Sequence, residues 1–246
     1  MEFFENKLNL AVLRLATGLA ITCLAQLAVG DPMPLKQGEP SDIAKTNFPV
    51  TKISPDVFGI GDVRLDGKKR SITFPASVNM TNGVIEYLLV SSHGKLHESL
   101  LKTDVEPTQL HTAKLLLDPK TRAPQPLVAP ANASNTSSEI TGDAIKISLN
   151  WRVGDKEKNC PAEDLIFNTR TESPMNRGDW IYTGSRFIEG TFMAQRERSL
   201  ISTIADPDAL IENPRPGRES DDIWQVNTTN TPPLNTPVQV TIEFKK

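Results

Sequence analysis

Residues Val57–Met80 read VFGIGDVRLDGKKRSITFPASVNM. Val63 and Leu65 alternate with polar residues, Asp66-Gly67 offers a tight turn, and Ile72 and Phe74 resume the alternation. Period-two alternation on both sides of an Asp-Gly turn is the pattern of a β-hairpin with one face on a core. Sheet therefore sets the architecture, and the flanking segments extend it.

Downstream, GVIEYLLVSS (83–92) reads as a further strand that ends before Gly94, and LHESLLKT (96–103) as a short strand or extended segment that fits neither period cleanly. EPTQLHTAKLLLD (106–118) is the best helix: Pro107 sits in the first turn, Leu110, Ala113, Lys114 and Leu117 follow at helical spacing, and Asp118-Pro119 stops it. The stretch 119–143 is rich in Pro, Ala, Asn and Ser, which predicts a mobile loop. AIKISLNWRVGDKEK (144–158) alternates as a strand, and Cys160–Phe167 reads as a helix start with acidic residues in its first turn. Two strands are expected around Glu189-Gly190, one before a turn at Asp206-Pro207, and a last one in TPVQVTIEFKK (236–246). The expected fold is α+β, mainly β: a single domain of about eight or nine mostly antiparallel strands with two or three short helices.

The N-terminus bears on compartment. Lys7 and Arg14 precede an apolar run, Leu15–Gly30, that ends in Ala28-Val29-Gly30. The run is shorter than the roughly 20 residues of a bilayer helix and has the form of a signal-peptide core. Residues 1–30 are therefore expected to be a signal peptide, 31–52 a flexible lead-in, and 53–246 the folded domain, outside the cytoplasm in a periplasmic or extracellular setting. An uncleaved N-terminal anchor is the alternative; after cleavage no membrane span is expected. Cys23 would leave with the signal, and Cys160 would remain as a lone thiol. A net charge of −3 gives no reason to expect nucleic acid as a partner.

Several stretches together resemble the YdjY-domain family of exported bacterial proteins. They are Val57-Phe58-Gly59-Ile60-Gly61, Ile72-Thr73-Phe74-Pro75-Ala76 with Asn79, and Glu86-Tyr87-Leu88-Leu89-Val90. Lys95–Leu101, Leu110-His111 with Ala113, and Trp180 with Tyr182 and Gly184-Ser185 follow. Asp206-Pro207 with Leu210-Ile211, and Asp221-Asp222 with Trp224, complete the set. The likeness runs from about Ile53 to Phe244. It implies one exported domain and no particular reaction.

The chemically capable residues are few. His97, Glu98 and His111 form the candidate metal set, since imidazole and carboxylate suit zinc or another divalent transition metal. HESLL is not the zincin HExxH, because Leu101 stands where the second histidine belongs. The other reading of these residues is structural, with His97 and His111 bonded to backbone or carboxylate groups; His93 is a bystander. Ser99 and Ser185 lack a G-x-S-x-G elbow, so no catalytic residue is assigned. Cys160 before Pro161 reads as an ordinary cysteine, and Asp221-Asp222 as a solvated turn. No nucleotide motif is present, and a lone mature cysteine cannot ligate an iron–sulfur cluster; no haem is expected either. The leading expectation is a non-enzymatic binding or interaction domain for an unidentified protein or small molecule. Trp180 and Trp224 are its candidate anchors, though both residues are more often core. The alternative is a metal-binding protein or metal-dependent enzyme using His97, Glu98 and His111.

Overall fold

The computed structural model describes residues 48–118 and 140–245. The expected signal peptide, most of the lead-in and most of the 119–143 loop lie outside these residues. The lead-in expected up to residue 52 is already strand by Val50, where β1 (Val50–Ser54) begins. It is followed by the meander β2 (Val57–Ile60), β3 (Val63–Asp66) and β4 (Ser71–Val78), paired antiparallel in that order. The Asp-Gly hairpin is thus present. Asp66 Oδ1 accepts the Lys69 N–H at 2.9 Å inside its turn.

From β4 the chain builds a barrel. β5 (Tyr87–Ser91) and β6 (Ser99–Thr103) come next, then β7 (Asp143–Val153) and its ribbon partner β8 (Lys156–Pro161). β9 (Ile166–Asn168), β10 (Ser173–Pro174) and β11 (Trp180–Tyr182) follow, then the small hairpin β12 (Phe187–Ile188) and β13 (Thr191–Phe192). β14 (Ser199–Ser202), β15 (Ile211–Glu212), β16 (Trp224–Val226) and β17 (Pro237–Phe244) end the series. Around the barrel the order is β4-β17-β7-β11-β15-β14-β5-β6, and Ser77↔Lys102 and Val78↔Leu101 join β6 back to β4. Closure removes the edges that an open sheet of this length would expose.

The expectation of an α+β domain is therefore corrected to a mainly β protein with a closed eight-stranded barrel and extra strands. Only two α-helices occur among the described residues: α1 (Pro107–Leu117) and the five-residue α2 (Met193–Glu197). The helix expected from Cys160 does not form. Cys160 lies within β8, which ends at Pro161, and a single 3₁₀ turn, Ala162–Leu165, leads into β9. Local pattern shows which residues alternate, but barrel closure depends on pairings between residues far apart in sequence.

The inward positions explain the alternation. Ile72, Phe74, Val78, Ile145, Ile147, Leu149, Val240 and Ile242 are all buried and fill the barrel with aliphatic and aromatic side chains. β5 and β14 are buried at every position. The cause is topological: β5–β6 and β14–β15 are parallel pairs, so their connections, 92–98 and 203–210, must return along the barrel. With the interior filled, they run over its outside. α1 lies across the barrel end where β17 and β11 finish and β7 starts. There His111 meets Tyr182, and Lys114 reaches Asp143 at 2.8 Å and sits over the Phe244 ring. The opposite end is covered by the three-stranded sheet β10-β9-β16, tied to the barrel by the Ile85 N–H donating to the Trp224 carbonyl.

Candidate functional site

His97 and Glu98 lie in a short 3₁₀ turn, Leu96–Glu98, on the first of the two parallel crossovers. Gly94 and the return path to β6 prevent a longer helix there. His97 Nε2 stands 3.4 Å from Glu98 Oε2, yet its side chain is 80% exposed. His111 is on α1 with different neighbours: Nδ1 shares a 2.9 Å hydrogen bond with the Tyr182 hydroxyl, and the ring packs on Phe192. Burial, with nearby Lys114 adding to it, lowers the His111 pKa to about 4, so the ring is neutral near pH 7. The structure thus brings His97 and Glu98 together and gives His111 a Tyr182 partner. Among the described residues, no group of three or more His, Cys, Asp and Glu side chains is arranged to hold a metal ion. His93 is exposed.

Beside His97 and Glu98 is a polar tie between the two crossovers. Lys95 Nζ donates to the Tyr87 hydroxyl at 2.7 Å, and that hydroxyl donates to Asp206 Oδ2 at 2.9 Å. Every member has a partner, so this network binds the crossovers to each other. Ser185 is equally committed: its hydroxyl donates to the Asp208 carbonyl and accepts the Ala194 N–H. That explains its place in the Thr183-Gly184-Ser185 turn without any nucleophilic role.

The expected tryptophan anchors are core. Trp180 and Trp224 are 0% and 2% exposed, and the Arg215 guanidinium stacks over Trp180 at 5.0 Å while pairing with buried Glu163 at 2.7 Å. The third tryptophan, Trp151, is half-buried at the edge of the core. It lies where β7 runs on past its pairing with β17, which ends at Asn150, and continues against β8 alone. Here a surface groove of about 380 Å³ opens, lined by Trp151, Val153, Lys158, Cys160, Asp164, Thr229, Asn230 and the Pro232-Pro233 pair. Burial, with Asp164 adding to it, pushes the Cys160 thiol up to about 12, so it lines the groove as a neutral thiol near pH 7.

Sequence reasoning passed over Trp151, although a signal was present. Gly154-Asp155 between Val153 and Lys156 is a two-residue hairpin turn, and it fixes the register that sets Trp151 opposite Lys158. A second groove, of about 450 Å³, fills the fork where β4 leaves β3 and joins β6; Asp62, Pro75, Lys102 and Asp104 are among its walls.

A closed barrel packed with aliphatic and aromatic side chains, with surface grooves beside the β7–β8 ribbon and at the fork of β3, β4 and β6, defines a mainly β domain. The YdjY-domain family model matches residues 63–243, and the chain belongs to that family. No curated protein and no solved structure matches it.

Proposed function

We propose that this chain is an exported, non-catalytic binding domain that recognises its ligand on the surface, in the groove beside Trp151. The observation that carries the reading is the contrast among the three tryptophans. Two are sealed in the core, and the third stands in a concave site of a size suited to a small ligand. An indole offers a flat apolar face with a polar N–H, a pairing common at recognition sites. The apolar run at Leu15–Gly30 supports export. Mass spectrometry of the envelope fraction should find a mature chain that starts at Asp31; an intact Met1 would remove cleavage from the proposal.

Because Trp180 and Trp224 are buried, acrylamide quenching of the purified chain reads Trp151 almost alone. A panel of saccharides, proline-rich peptides, amphiphiles and zinc should contain a compound that shields this fluorescence, and Trp151→Phe should weaken its binding as read by calorimetry. A panel without any effect at millimolar concentration would sink the groove as a binding site. Saturable zinc uptake lost in His97→Ala would favour the metal alternative instead.

A further inference from the structure

The groove's walls carry a specific combination of groups, and on the reading that it is a binding site they select a ligand class. Alternation along β7 puts Trp151 and Val153 on one face of the ribbon, and the ladder sets Lys158 opposite Trp151 and Lys156 opposite Val153. Directly opposed side chains on a ladder share a face with Cβ atoms about 5 Å apart. Trp151 and Lys158 therefore share one wall of the groove, Lys156 follows along the same ribbon face, and the ion pairs of the described residues include neither lysine.

The carboxylate in the groove does not balance them. Asp164 is held by Arg177 through Nε at 2.9 Å and Nη2 at 2.7 Å, so its charge is already matched. On the ribbon's other face Glu157 accepts Asn150 Nδ2 at 2.5 Å. The far wall adds neutral hydrogen-bonding groups. Asn230 Nδ2 donates to the Asp164 carbonyl at 3.1 Å, which leaves its carboxamide oxygen free for a ligand hydroxyl, and Thr229 adds a hydroxyl beside it.

We propose that the groove takes an acidic saccharide, one sugar ring stacked on the Trp151 indole with its carboxylate at Lys158 and its hydroxyls on Thr229 and Asn230. A cationic ligand would meet Lys158 and no free carboxylate. A purely apolar one would strip water from Lys158, Thr229 and Asn230 without replacing it.

The test uses the full chain and three probes: an oligogalacturonate, a neutral malto-oligosaccharide and a proline-rich peptide. Binding is read by protection of Trp151 from acrylamide and by calorimetry. Oligogalacturonate should bind, more weakly as salt is raised. Lys158→Gln should weaken binding about tenfold, the scale of one lost charge-assisted contact. Trp151→Ala should abolish it; Lys158 is exposed, so its variant keeps the test valid if the tryptophan variant fails to fold. Equal binding of the neutral sugar with no effect of Lys158→Gln would overturn the acidic ligand but leave the groove a binding site. Binding of the peptide alone would overturn the saccharide class with the same residue. Silence of the whole panel would overturn both readings.

Discussion

At Glu212, on β15, burial pushes the carboxyl up to about 7, with Asp206 adding to the shift and the Arg218 guanidinium opposing it. At His111 burial works the other way, lowering the ring to about 4. The two consequences for stability have opposite signs. Glu212 holds more protons folded than unfolded, so its contribution is full below the ordinary carboxyl range, near 4.5, and is lost as pH rises through about 7. His111 holds fewer protons folded, so its contribution is full above 6.5 and is lost as pH falls through about 4. In urea unfolding from pH 4 to 8, wild type should lose stability relative to Glu212→Gln as pH rises. His111→Gln should lack the decline that wild type shows below pH 6.5. A constant difference across pH for either variant would contradict the assignment. None of this was legible in the sequence, where His97 and His111 look equally capable. Tertiary neighbours separate them, since Tyr182 and Phe192 pack on His111 while the His97 side chain is 80% exposed.

Among the elements, α1 was the most legible, because its signals are local. Pro107 at the start and the 3.6-residue apolar spacing predict its span to within a residue. Its cap was not anticipated. Glu106 accepts the backbone N–H of Gln109, while Gln109 Oε1 accepts the Glu106 N–H at 2.7 Å, a capping box built without Ser or Thr. Glu106 also accepts from Gln195 on α2 and from Arg198 at the end of that helix, so one carboxylate ties α1 to α2. Glu106→Ala should therefore cost more than the roughly 1 kcal/mol of an ordinary cap. Denaturant unfolding is the measurement, and a loss within about 0.5 kcal/mol, the scale of a neutral surface change, would show the carboxylate to be dispensable. The crossover 92–98 was the least legible element. Parallel neighbours are normally joined by a dozen residues or more, often a helix. This connection is much shorter and has only one 3₁₀ turn, so the segment carries neither period.

For the molecule as a whole, the decisive step is the join of β6 to β4. Only Ser77 and Val78 pair with β6, so the ladder there is brief. Asn79 reinforces it: Nδ2 donates to the Leu96 carbonyl at 2.6 Å and the Ser99 carbonyl at 2.8 Å, and its backbone N–H donates to the Leu100 carbonyl. Asn79→Ala leaves two carbonyls without that donor and should cost about 1–3 kcal/mol. The faster hydrogen exchange should be concentrated in β6 and the end of β4. Exchange raised uniformly, or no loss of stability, would show that closure does not depend on this side chain. By itself the sequence determined the sheet character, the Asp-Gly and Glu-Gly hairpins, α1 and the family, because turn chemistry and alternation act over a few residues. Tertiary structure alone decided that the sheet closes, that Trp180 and Trp224 are core, and that Trp151 stands in a groove. Those outcomes rest on pairing between β4 and β6 and between β4 and β17, residues distant in the chain, where side-chain periodicity is the same whether a sheet is open or closed.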